Sequence, residues 1–186
     1  AQAQGLLMPL IPAAHINLAG PPSLQSCTRD VYPPGFQLSA ALALGIASDV
    51  AGAVAHLHQR GVMHGDLYAH NILVDPVHGQ ARLGDFGAAT RLPIDQSALR
   101  QNLLALEVRA LGCLLEELVL AVQHPSPAPA TTPWGQKAGS SSTADDSSAD
   151  AAVPTLQALA RACLSDQPRH RPTAVEVAQA LQTLKP

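Results

Sequence analysis

The 186-residue chain is the size of one domain, and with 47% hydrophobic and 13% charged residues it reads as globular over most of its length. Its net charge of −3 leaves no basic footprint for nucleic acid. Aromatics make up only 3%, so Ala and Leu must fill the core, and no apolar run reaches membrane-span length.

In chain order, residues 6–11 (LLMPLI) form a short apolar run closed by Pro12. They predict a strand that Pro9 confines to edge or irregular pairing. Residues 15–36, rich in Pro, Gly and Ser, are expected to form a long loop, a kind that often carries function. Residues 27–30 (CTRD) suggest no role of their own. Residues 38–60 predict a helix with the stripe Leu42, Ile46, Val50, Val54 and Leu57. Arg60 in the last turn and Gly61 just past it are a stop signal.

Residues 62–89 hold HGDLYAHN and then DFG. Asn71 opens an apolar run to Val74, Asp75-Pro76-Val77-His78-Gly79 is turn chemistry, and residues 80–83 are a second short run. That pattern is a hairpin, and it returns Asp85 beside Asn71. Asp66 is a loop carboxylate able to accept or orient a hydroxyl proton. Asn71 and Asp85 offer hard oxygens of the kind Mg²⁺ prefers. One base beside two metal ligands is a minimum set for phosphoryl transfer.

A second helix is expected over residues 104–122, with Leu104, Val108, Leu111, Leu115, Leu118 and Val122 as its stripe and further Leu and Val residues widening it. A helix apolar nearly all round is a central one. Residues 124–150 break the composition with Pro, Ala and Thr and then GSSSTADDSSAD. They read as a disordered insertion, with Trp134 as their one large anchor. Leu156, Leu159, Ala160 and Cys163 mark one face of a third helix. Thr173 and Glu176 form a capping-box pattern opening a fourth, whose stripe is Val177, Leu181 and Leu184.

Cys27, Cys113 and Cys163 show no C-x-x-C spacing and read as reduced, buried thiols in a reducing, cytoplasmic setting. The eight histidines include no H-E-x-x-H pattern, and His56 and His58 face different ways on a helix. They read as surface and loop residues.

His64, Asp66, Leu67, Asn71, Asp85, Phe86 and Gly87 together resemble the catalytic and magnesium loops of the protein kinases, whose pattern is H-R-D-L-x-x-x-N followed by D-F-G. The likeness extends to residues 57–61 (LHQRG) before the loop and to residues 107–112 (EVRALG), similar to the kinase D-V-W-S-x-G stretch. There Glu107 takes the Asp place; a solvated first-turn carboxylate is the alternative. Residues 166–173 (DQPRHRPT) resemble the kinase D-P-x-x-R-P-T ending, with Arg171 at the structural Arg. The resemblance covers a kinase C-terminal lobe: mainly α, a helical bundle with a small β-hairpin carrying the two loops.

The resemblance implies ATP and Mg²⁺ as cofactors, Asp66 as base, and Asn71 and Asp85 as metal ligands. The backbone of Pro9 and Ile11 would face adenine at a hinge strand, with Leu73 as the floor beneath. The expected partners are ATP and a protein substrate, with no nucleic acid and no membrane. The Gly-rich loop and V-A-I-K lysine of the family are not in the sequence, which together with Ala1 as first residue leads to the expectation of a piece of a longer chain. No A-P-E stands between Asp85 and Glu107, which would leave Arg171 without its carboxylate partner. Gly65 replaces the catalytic-loop Arg, and Tyr68 stands where Ser/Thr kinases carry Lys. The expected reaction is γ-phosphoryl transfer to Ser or Thr. Alternatives are a small-molecule phosphotransferase of the aminoglycoside or choline type, in which H-G-D is normal, and a pseudokinase binding module.

Overall fold

A computed structural model describes residues 10–123 and 143–184. In chain order its elements are β1 (Ile16–Asn17), α1 (Ala40–Gln59), β2 (Val62–Met63), β3 (Ile72–Val74), β4 (Ala81–Leu83), β5 (Thr90–Arg91), α2 (Ser97–Gln123), α3 (Thr143–Cys163) and α4 (Ala174–Gln182). Short 3₁₀ turns lie at Ala69–Asn71, Phe86–Ala88 and Pro168–His170. The fold is mainly α, as expected, and adds to the expected hairpin a third strand and a second, two-stranded sheet.

The helical core forms because α1 and α2 are apolar over most of their faces. On α1, Ala43, Ile46, Ala47, Val50, Ala51 and Val54 are buried. On α2, Val108, Leu111, Leu114, Leu115, Leu118 and Val119 are buried. Each fully buried Leu or Val contributes about 1.5–3 kcal/mol. Helix α1 packs on α2, α3 and α4. Ser39 caps it by accepting from the Leu42 amide, and Gly61, at φ +70, ends it as the sequence predicts. An 18-residue window within it has a mean hydropathy of 1.6, enough by length and composition alone to cross a membrane. In the fold it is the central core helix.

Helix α2 starts at Ser97, seven residues before the expected Leu104. None of residues 97–106 is buried, so that extension carries no apolar stripe for the sequence to show. Gly112 lets α2 approach α3 closely: a Cβ there would lie 2.6 Å from Cys163 Cβ. Helix α3 begins at Thr143, so residues 143–150 of the expected insertion are helical, with Pro154 further inside the same helix. Residues 124–142, Trp134 among them, lie outside the described residues. Helix α4 opens on the expected capping box, with Thr173 and Glu176 bonding each other's backbone amides.

The predicted hairpin forms. β3 and β4 are antiparallel, with Ile72 opposite Leu83, Leu73 opposite Arg82 and Val74 opposite Ala81. Asp75 accepts from the Val77 and His78 amides and from the His78 ring, and Gly79 turns at φ +68. The long loop holds more structure than expected. β1 pairs with β3, Ile16 opposite Val74, and Gly20 bridges Val31. Two residues are too few to give a strand period, which is why the sequence hid β1. Of the expected first strand, Leu6–Pro9 lie outside the described residues, and Leu10 and Ile11 are irregular, with Leu10 95% exposed. Cys163 is buried, but Cys27 is exposed, against the reading of all three thiols as buried.

Candidate active site

Residues 64–71 link β2 to β3. His64 is fully buried, with Nε2 2.8 Å from the Gly84 carbonyl oxygen. A carbonyl only accepts, so Nε2 carries the proton and Nδ1 is free to accept from the Asp66 amide at 3.3 Å. The ring also meets Phe86 edge-on, with centroids 5.0 Å apart. His64 thereby couples the two motifs, HGDLYAHN and DFG, through a bond across 20 positions to Gly84, the residue before DFG, and a ring contact with Phe86.

Glu107 holds the upstream limb of the loop. Only 3% exposed, it accepts from the Gly65 amide through Oε1 at 2.7 Å and from the His64 amide through Oε2 at 3.0 Å. His58 Nε2 lies 2.8 Å from the same Oε2. Burial pushes the Glu107 carboxyl up, but the His58 ring and the two loop amides outweigh it and hold it below the usual range. Of the two readings open for Glu107, the structure takes the buried anchor. The solvated first-turn alternative fails because α2 begins well before it. His64 and His70 lie in the loop, as read, but neither they nor His58 are surface residues: each is packed into a hydrogen-bond network beneath or within the loop.

Asp66 and Asn71 are in direct contact. Asn71 Nδ2 donates to Asp66 O at 2.9 Å and to Asp66 Oδ2 at 3.0 Å. Two acceptors on one side fix the amide's orientation and leave Asn71 Oδ1 as the acceptor on the other. The Gly84 amide donates to Asn71 O at 2.8 Å, which sets Asp85 one residue beyond that bond. Asp85 is exposed and left-handed at φ +52, with Oδ1 accepting from the Gly87 amide at 3.1 Å. Such a conformation is costly for a residue with a side chain, on the order of 1–3 kcal/mol, and strain of this kind gathers at functional sites. Among the described residues no group of three His, Cys, Asp or Glu could cage a metal. One carboxylate and one amide oxygen suit a cation that keeps most of its other ligands, as Mg²⁺ does.

Leu73 sits mid-strand on β3, its Cδ1 lying 3.4 Å from where a Gly84 Cβ would be. Pro9 lies outside the described residues and Ile11 is in irregular chain, so the expected hinge strand contributes no described element here. β5 pairs with β2, Val62 opposite Arg91, and the Leu92 amide donates to Gly61 O at 2.7 Å. The chain after DFG is thus pinned back beside the loop. A cavity of about 530 Å³ lies elsewhere, behind His58, between α2 and the start of α4.

Gly65 is required by its backbone. It turns at φ +82, and a Cβ there would meet the Ala88 carbonyl oxygen at 2.6 Å. Gly65→Ala is expected to destabilise the protein by roughly 1–3 kcal/mol, from left-handed strain and displacement of residue 88. Thermal denaturation reads it; an unchanged midpoint would contradict the steric account. Arg171, expected to lack its carboxylate partner, donates to two backbone carbonyls, Ser165 O at 2.8 Å and Ala105 O at 2.9 Å. Two backbone carbonyls replace the missing carboxylate and tie α2 to the turn before α4.

Arg29, within the stretch 27–30 that the sequence left unassigned, and Tyr32 just after it also tie into the loop's support. Arg29 donates to Leu67 O at 3.3 Å and to Glu117 Oε1 at 3.3 Å, with its guanidinium 4.4 Å from the centre of the Tyr68 ring. Tyr32 donates to Glu117 Oε2 at 2.8 Å. Burial raises the carboxyl of Glu117. The only signal in the sequence was two charges set in an otherwise uncharged loop.

The protein kinase domain family model matches residues 25–106. The chain is 30% identical over 171 residues to dual specificity testis-specific protein kinase 1 of Rattus norvegicus, covering 79% of this chain and 27% of that protein. It is 28% identical over 153 residues to the mitogen-activated protein kinase kinase kinase YODA of Arabidopsis thaliana, covering 69% of this chain and 16% of that protein. Over 50 residues it is 44% identical to the serine/threonine-protein kinase PrkC of Bacillus subtilis (strain 168), covering 27% of this chain and 8% of that protein. The chain spans about a quarter or less of the length of these relatives.

Proposed function

From the premise that this chain belongs to the protein kinase superfamily, we propose that it forms the helical C-terminal lobe of an ATP- and Mg²⁺-dependent kinase that phosphorylates Ser or Thr hydroxyls. The observation that carries this reading is the contact of Asp66 with Asn71, with Asp85 set one residue past the Gly84–Asn71 bond. Asp66 Oδ2 accepts from Asn71, and in this reading its other oxygen takes the hydroxyl proton. Asn71 Oδ1 and the Asp85 carboxylate would hold Mg²⁺ and through it the nucleotide phosphates; Leu73, Pro9 and Ile11 would take adenine. Mg²⁺–ATP, when bound, supplies the phosphoryl group and the neutralisation of its developing charge. The protein's residues orient the acceptor hydroxyl, remove its proton and hold the metal. Clamping the phosphates needs the family's glycine-rich loop and V-A-I-K lysine, motifs that the 186 residues do not contain. We assign that task to sequence outside this chain, and this chain alone should transfer phosphate poorly or not at all.

A second reading, transfer to a small-molecule hydroxyl, is supported by Gly65 and by the short path from Asp85 to α2. Residues 97–106 are already helix, which leaves little chain to cradle an extended peptide. The test supplies full-length protein with Mg²⁺–ATP and either a Ser/Thr peptide set or an amino-sugar set. Transfer to peptide supports the protein-kinase reading. Transfer to amino sugars alone replaces it, and ATP binding without transfer to either leaves a binding module.

A further inference from the structure

We propose that Asp30 is a positioning residue for the loop that carries Asp66, the counterpart of Glu107 on the loop's other limb; the proposal rests on the reading of Asp66 as base. Asp30 is 6% exposed, and its carboxylate is fully buried. Oδ2 accepts from the Ala69 amide at 3.1 Å, and Oδ1 accepts from the His70 amide at 2.9 Å. His70 Nδ1 lies 2.6 Å from the same Oδ1. The carboxylate only accepts, so Nδ1 is the protonated ring nitrogen.

The arrangement mirrors Glu107. Each acid is buried, each takes successive backbone amides, and Asp66 lies between the two pairs, His64 and Gly65 before it, Ala69 and His70 after it. The Ala69 and His70 amides open the 3₁₀ turn Ala69–Asn71, where no preceding turn supplies an acceptor. Asp30 supplies it. That turn delivers Asn71, whose Nδ2 in turn holds the Asp66 carboxylate. Asp30 is itself braced from α2: its neighbour Arg29 bonds Glu117, as does Tyr32. The catalytic loop is therefore hung from two points, one on α2 directly and one through residues 29–32. Removing Asp30 should loosen Asn71 and let Asp66 wander without touching ATP contacts on β3.

The test combines residue-resolved amide exchange and kinetics on the full-length protein. In the wild type, the Ala69 and His70 amides should exchange as slowly as those of His64 and Gly65. Rates of unprotected amides would overturn the proposal without any variant, and so would hold even where a variant fails to fold. Asp30→Asn keeps the shape but turns an N–H₂ toward backbone donors. It leaves one acceptor oxygen and should accelerate exchange about 10- to 100-fold at whichever of Ala69 and His70 meets the new N–H₂, leave His64, Gly65 and the core of α1 unchanged, and move the His70 ring ¹⁵N resonances as the charged acceptor beside Nδ1 becomes neutral. With activity, kcat should fall at least about 10-fold. Acceleration spread evenly over the molecule would show a merely structural residue and overturn the proposal, as would wild-type kcat in Asp30→Asn. A wild type without turnover would refute the reading of Asp66, while the exchange arm still decides whether Asp30 holds the loop.

Discussion

Asp66→Asn in the full-length protein is expected to lower kcat by about 10²–10⁴-fold, the usual worth of general-base catalysis, while ATP affinity changes little. The substitution is a clean probe because of how Asp66 is held. Asn71 donates to its main-chain oxygen as well as to Oδ2, so the loop keeps one of those bonds whatever the side chain, and an amide oxygen can replace the other. What is lost is the capacity to take a proton. Phosphoryl transfer asks little covalent chemistry of a protein, so the remaining rate reports positioning and charge neutralisation. Steady-state turnover together with an ATP titration separates the two. Equal turnover in wild type and variant would remove Asp66 from the chemistry.

The second large effect is on Glu107. Glu107→Gln puts an N–H₂ where two loop amides and the His58 ring already converge on a buried carboxylate. Breaking a buried charged network in this way costs about 3–5 kcal/mol. For a domain of this size that lowers the melting midpoint by roughly 10 °C. Activity should fall with it, since His64 and Gly65 lead directly into Asp66. The pH dependence follows from the depressed carboxyl. Glu107 contributes its full stabilisation above its unfolded value, about 4.3, and loses it as pH falls through the lower folded value. The stability gap between wild type and Glu107→Gln should therefore be widest near neutrality and narrow below about pH 4. A gap that is constant from pH 7 to strongly acid conditions would contradict the anchoring role.

Much of this was legible in the sequence because it is local. The hairpin between Asn71 and Asp85, the stripe of α1, the stop at Gly61 and the capping box at Thr173 all depend on residues within a few positions of one another. The contacts that support the site are long-range and left little trace. Asp30 meets His70 across 40 positions, and Glu107 meets His64 across 43. Nothing near Asp30 in the chain marks it as buried. For Glu107 the sequence left both a buried and a solvated reading open, because the exposed first turns of α2 carry no apolar period. β1 was hidden by its length. The nucleotide-facing role of Leu73 and Ile11 came from resemblance alone, and Pro9 lies outside the described residues, so those roles stand as part of the proposal.

The central claim is that Asp66, Asn71 and Asp85 form one site for Mg²⁺-dependent phosphoryl transfer. Its most direct test is calorimetric titration of ATP, with and without Mg²⁺, into full-length wild-type protein, Asp85→Asn and Asp66→Asn. The account predicts that Mg²⁺ strengthens ATP binding in the wild type, that Asp85→Asn loses most of that gain, and that Asp66→Asn keeps it. ATP binding that is indifferent to Mg²⁺ in the wild type, or an undiminished Mg²⁺ gain in Asp85→Asn, would contradict it.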